Sequence, residues 1–176
     1  MKPRQTLILG GVRSGKSRLA EAMAADSGLT VHYLATATAG DAEMQERIRQ
    51  HQAHRPADWL LSEVPLHLAA ALRAHAHPDS CLLVDCLTLW LTNLLLAEDT
   101  TLLRRECDAL LAVLPQLPGR LLLVSNETGL GIMPLGALTR RFGDEAGRLH
   151  QQLASLCDHV ILTVAGLPLF LKGNPT

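Results

Sequence analysis

The chain has 176 residues, 48% of them hydrophobic, which suits one compact domain over residues 1–176 with a continuous core. Its 16 Lys+Arg against 17 Asp+Glu leave a formal charge of -1, so there is no general basic surface for nucleic acid or an anionic membrane, and any phosphate binding has to be local. Cys81, Cys86, Cys107 and Cys157 lie apart without a C-x-x-C pair and point to neither a zinc knuckle nor a disulfide framework. In chain order, Thr6–Leu9, Val31–Ala35, Leu82–Asp85, Leu121–Ser125 and Val160–Val164 read as strands, with a shorter one at Trp59–Glu63. They are continuously apolar, as parallel strands covered on both faces are. Between them Ser17–Ala25, Ala42–Ala53, Leu66–His75, Leu87–Leu96, Leu102–Leu114 and Leu135–Leu156 read as helices, the last with an apolar stripe of Leu138, Phe142, Ala146, Leu149, Leu153 and Leu156. His75 and His77, beside Pro78, read as exposed turn residues. The alternation of strand and helix predicts a three-layer, doubly wound α/β fold with a mostly parallel sheet. The longest uncharged apolar stretch, Cys86 to Ala97, is short of the roughly 17 residues a membrane helix needs. The three apolar residues Leu7-Ile8-Leu9 after the basic N-terminus do not make a signal peptide, so a cytoplasmic protein without membrane insertion is expected.

Gly10-Gly11-Val12-Arg13-Ser14-Gly15-Lys16-Ser17 spells G-x-x-x-x-G-K-[ST] directly after the first strand and before the first helix, the context this phosphate-binding loop (P-loop) requires. Backbone N–H groups turned around phosphate oxygens need a close approach that a Cβ obstructs, hence the glycines. Lys16 would meet the β/γ-phosphates, Ser17 would hold Mg²⁺, and the helix N-terminus adds positive potential. Asp85, closing the run Leu82-Leu83-Val84, is either the second ligand of that Mg²⁺ or the N-cap of the next helix. On Ala42–Ala53, Arg47 precedes His51 by one turn and Arg55 follows it by one; the set either faces a polyphosphate or forms a solvated face.

Taken with Arg18, Tyr33-Leu34-Ala35-Thr36, Asp41-x-Glu43-Met44-x-x-Arg47-Ile48-x-x-His51-x-x-x-Arg55-Pro56-x-x-Trp59, Asp85-Cys86-Leu87-Thr88 and Ser125-Asn126-Glu127-Thr128-Gly129-Leu130-Gly131, the loop closely resembles the adenosylcobinamide kinase/adenosylcobinamide-phosphate guanylyltransferase family. The likeness runs through Arg141-Phe142-x-Asp144-x-x-Gly147-Arg148 to Ala165-Gly166-Leu167-Pro168. It implies a RecA-like P-loop fold and two reactions. ATP or GTP phosphorylates adenosylcobinamide, and GMP from GTP then passes through His51 onto the new phosphate. By family position Thr36, Ala37, Thr38, Gln52, Ala53, His54, Arg55, Glu63 and Asp85 join the loop in binding nucleotide, with Glu63 either reading the guanine or standing as an exposed strand-end carboxylate. His54, three residues after His51, keeps a metal pair or the wrong histidine in view, and His150 stands where the family often has asparagine. The family likeness also implies a homo-oligomer, a trimer. The competing readings are a P-loop kinase or ATPase with another small-molecule acceptor, a guanylyltransferase without kinase activity, and a histidine-rich nucleotide-binding metallochaperone.

Overall fold

A computed structural model describes residues 4–38 and 56–174. The elements run β1 (Gln5–Gly10), α1 (Lys16–Ala25), β2 (Thr30–Ala35), β3 (Leu60–Glu63), α2 (Leu68–His75), β4 (Ser80–Asp85), α3 (Leu87–Leu96), α4 (Leu102–Val113), a 3-10 turn at Leu114–Gln116, β5 (Arg120–Asn126), α5 (Ala137–Leu156), β6 (His159–Val164) and β7 (Leu167–Lys172). The predicted helix Ala42–Ala53 lies outside the described residues.

One seven-stranded sheet has the order β3-β2-β4-β5-β1-β6-β7, and every neighbouring pair is parallel except the antiparallel β6 and β7. The inner strands β1, β4 and β5 are apolar on both faces because both are covered. Leu7 and Leu9 of β1, Leu82 and Val84 of β4, and Leu121 and Leu123 of β5 join Leu68, Leu72, Leu91, Leu110, Leu149 and Leu153 in the core under α2 to α5. The alternating Ile8, Cys81, Leu83, Leu122 and Val124 pack with Ala20 and Ala24 of α1 on the other face. This period of two separates the layers, and each fully buried leucine contributes about 1.5–3 kcal/mol. Trp90 is fully buried and its indole N–H donates to Leu66 O at 2.7 Å, which satisfies its one polar atom.

Two expectations change. In α5 only Ala146, Leu149 and Leu153 of the predicted stripe are buried, joined by His150, while Leu138 and Leu156 near the two ends are 53% and 38% exposed, so only the middle of the helix is covered. His75 is the last residue of α2 rather than a turn residue, and its ring lies 4.0 Å from that of His32.

Register brings the carboxyl ends of the strands to one edge. Glu63 pairs with Ala35, Ala35 with Asp85, Asp85 with Val124, and Gly10 with both Asn126 and Thr163. In open parallel sheets that edge is where ligands bind.

Candidate nucleotide site

The loop between β1 and α1 is held by its own backbone and by both neighbouring strands. Ser14 N–H donates to Gly11 O at 3.2 Å, Gly166 N–H to Ser14 O at 2.8 Å, and Glu127 N–H to Gly10 O at 3.0 Å. Glycine is demanded at two of the three loop positions. A Cβ on Gly10 would lie 2.7 Å from Thr163 O and overlap the Ser14 hydroxyl, and Gly15 has φ +95° with Gly166 Cα 3.1 Å from its ideal Cβ. A Cβ on Gly11 would meet no atom of the protein within 4 Å, so packing alone does not select that glycine. Arg13 takes a left-handed φ of 55°, a conformation that costs a non-glycine residue about 1–2 kcal/mol. Val12 is exposed at the tip, and Ser14 Oγ is buried without a hydrogen-bond partner, an orphan that suits a cradle shaped for an incoming group.

Lys16 opens α1, is only 9% exposed, and donates through Nζ to Gly11 O at 3.0 Å. Burial pushes its ammonium below the ordinary lysine value, while Asp85 pulls it back up, so an anion in the loop would supply the counter-charge that the protein only partly provides. Ser17 follows in the first turn of α1. Asp85 ends β4 two strands away from β1 and accepts the Tyr33 hydroxyl on Oδ2 at 3.1 Å. It is not the cap of α3: that position is Cys86, and no side-chain cap bond forms there. The hydroxyl and carboxylate oxygens of Ser17 and Asp85 are the hard donors that Mg²⁺ takes. Cys86 is no nucleophile, because burial and the Asp85 charge push its thiol up to about 11.

Thr36 is fully buried. Its hydroxyl donates to Cys86 O at 2.7 Å and accepts from Cys86 N–H at 2.9 Å, while its carbonyl accepts from Asn93 Nδ2 at 2.9 Å. These bonds fix the chain beside Asp85, so Thr36 places that carboxylate. Thr38 is exposed and bonds Asn93 Oδ1 at 3.3 Å; Ala37 is half-buried between them. Glu63 is exposed at the end of β3, four strands from the loop. His51, Gln52, Ala53, His54 and Arg55, with Arg47, lie outside the described residues.

A polar chain beneath the site escaped the reading of motifs. Buried His150 bonds Ser125 Oγ through Nε2 at 2.8 Å, Ser125 Oγ lies 3.4 Å from Thr88 Oγ1, and Thr88 Oγ1 accepts Asn126 N–H at 2.7 Å. Its members come from α5, β5 and α3, and no spacing in the sequence joins them.

Residues 6–171 match the family model described as cobinamide kinase / cobinamide phosphate guanyltransferase. The chain is 64% identical over 169 residues to the bifunctional adenosylcobalamin biosynthesis protein CobP of Pseudomonas aeruginosa, covering 96% of this chain and 98% of that protein. It is 40% identical over 179 residues to the bifunctional adenosylcobalamin biosynthesis protein CobU of Salmonella typhimurium, with coverage of 94% and 98%. Among solved structures, the ATPase EscN of the enteropathogenic E. coli type III secretion system superposes with a TM-score of 0.54 at 13% identity, over 93% of this chain and 43% of that one. The fold is thus that of RecA-like P-loop nucleotide-binding proteins, and the substrates of such a site are nucleotides. The loop at Gly10–Ser17, the carboxylate two strands away and the match over nearly the whole length have one meaning: the chain belongs to the cobinamide kinase / cobinamide phosphate guanyltransferase family.

Proposed function

We propose that this chain phosphorylates adenosylcobinamide at the expense of ATP or GTP and then carries GMP from GTP, through His51, onto the new phosphate. The observation that carries the reading is the complete phosphate loop in a chain matched to this family over residues 6–171.

In the first reaction Lys16 holds the β- and γ-phosphates, and the loop N–H groups together with the start of α1 orient them. Ser17 and Asp85 would hold Mg²⁺, which when bound neutralises charge on the phosphate oxygens. In the second, a His51 ring nitrogen attacks the α-phosphorus of GTP; the P–N bond forms as the bond to pyrophosphate breaks. The phosphate on the cobinamide then attacks the same phosphorus, and its P–O bond replaces P–N. Attack needs a neutral imidazole, the majority form of histidine at neutral pH from its reference value of about 6.5. Arg47 and Arg55 would hold the phosphate oxygens, with Thr36, Ala37, Thr38, Gln52, Ala53, His54 and Glu63 lining the nucleotide.

The reading extends to one domain over residues 1–176, acting in the cytoplasm as a homo-trimer. Among the described residues no helix is long and apolar enough to cross a membrane.

Intact mass measured after incubation with GTP and Mg²⁺, kept neutral to alkaline, tests the covalent step. One GMP is expected on the wild type and none on His51→Ala. An adduct retained by the variant would exclude His51, and no adduct on either protein, with nucleotide still bound, would leave a P-loop phosphotransferase with another acceptor.

A further inference from the structure

The catalytic edge of the sheet carries three carboxylates at or directly after strand ends among the described residues: Glu63 on β3, Asp85 on β4 and Glu127 after β5. Strand order ranks them. From β1, whose end opens the phosphate loop, β5 is the first neighbour on that side, β4 the second and β3 the fourth. Strands lie about 4.8 Å apart, which puts these ends roughly 5, 10 and 19 Å from the loop strand.

Glu127 is also joined to the loop directly, through its N–H on Gly10 O at 3.0 Å. Its carboxylate Oε1 accepts Gly129 N–H at 2.5 Å, which turns the chain into the segment before α5. That segment carries Leu130, Ile132 and Leu135 at 83%, 99% and 97% exposure. Exposed apolar residues that begin three residues beyond a carboxylate at the phosphate loop suit an acceptor with a body large enough to cover them while it presents a hydroxyl to that carboxylate.

Phosphoryl transfer to an alcohol needs a group to orient the hydroxyl and take its proton. Lys16 serves the phosphates and Asp85 the metal, and neither is left for the acceptor. We propose that Glu127 is that base. The acceptor oxygen forms its bond to the γ-phosphorus as the bond from that phosphorus to the β,γ-bridging oxygen breaks. The bond's electron pair departs with the nucleoside diphosphate, and the hydroxyl proton passes to a Glu127 carboxylate oxygen and from there to water. This assignment rests on the kinase reading above.

Glu127→Gln separates base from scaffold. The amide oxygen still accepts Gly129 N–H and the backbone bond to Gly10 is untouched, but the basic oxygen is lost. Expected is a fall in kcat for phosphorylation of adenosylcobinamide of about 10²–10⁴-fold. KM for ATP and the rate of GMP loading from GTP should stay within about twofold, since neither uses the acceptor proton. A wild-type kcat in the variant overturns the proposal, as does an equal loss in all three quantities, which would mark a structural carboxylate. A wild type that loads GMP but leaves adenosylcobinamide unphosphorylated removes the kinase reading itself, whereas an active wild type beside an equally active variant removes the Glu127 assignment alone.

Discussion

His150 sits on α5 where its ring is buried against Ser125 beneath the nucleotide edge. Burial pushes its imidazole below the ordinary histidine value, with the Glu127 carboxylate pulling it up. The unfolded chain therefore binds more protons at this position once pH falls below about 6.5, so the stability it contributes is complete above that value and is lost as pH falls toward the lowered folded value. His32, pushed down by burial and by His75, acts in the same direction. In His150→Asn the amide can still bond Ser125 but cannot titrate, so urea midpoints measured from pH 7.5 to 5 should decline less steeply than in the wild type, with the His32 part of the slope remaining. Identical slopes would mean that His150 titrates normally. None of this was legible in the sequence, because the Ser125 that holds His150 is 25 residues away. Thr36 has the same lesson. Family position alone placed it with the nucleotide-binding residues, and the bond its hydroxyl makes to the backbone of Cys86, 50 residues on, has no signal in the sequence. Gly10, Gly15 and Lys16 were legible because the spacing of the whole phosphate loop lies within one strand-to-helix turn, although the close contacts that exclude a Cβ at Gly10 and Gly15 come in part from Thr163 and Gly166, far along the chain.

At the scale of elements, continuous apolar runs found β1, β2, β4, β5 and β6, and the helix read between two of them at Leu87–Leu96 is α3 with the same bounds. The short run at Trp59–Glu63 became β3 at Leu60–Glu63. The strand that escaped is β7, which has the opposite character: an antiparallel edge strand, mostly exposed and interrupted by Pro168, with no pattern of burial to betray it. Its turn could have been the signal. Ala165 and Gly166 have φ of 52° and 80°, the two left-handed positions of a tight hairpin loop. That turn also supports the phosphate loop, because Gly166 N–H holds Ser14 O at 2.8 Å and a Cβ on Gly166 would lie 3.1 Å from the Arg18 guanidinium. Gly166→Ala should therefore cost about 1–2 kcal/mol in urea unfolding and weaken nucleotide binding as well, read as a smaller rise in Tm on adding GTP. A loss of stability with the full GTP-dependent rise would show that the hairpin braces the sheet without shaping the loop.

For the whole molecule, the distribution of apolar surface bears on assembly. Leu167, Leu169 and Leu171 alternate along β7 with their side chains exposed, next to exposed Val164. A monomer that left such a strip open at a sheet edge would invite strand addition or aggregation. The proposed homo-trimer offers a second copy of the chain as the natural cover, since one strip on each subunit meets the need for repeated, equivalent contacts in a closed ring. Replacing Leu169 and Leu171 together by Lys places two charges on the strip without touching Phe170, whose ring packs edge-on against His159 at 5.8 Å, so the fold should survive. Light scattering at micromolar concentration is expected to give the mass of three chains for the wild type and of one for the double variant, with unchanged circular dichroism. A variant that keeps the wild-type mass would move the contact off β7, and a wild type with the mass of one chain would remove the trimer.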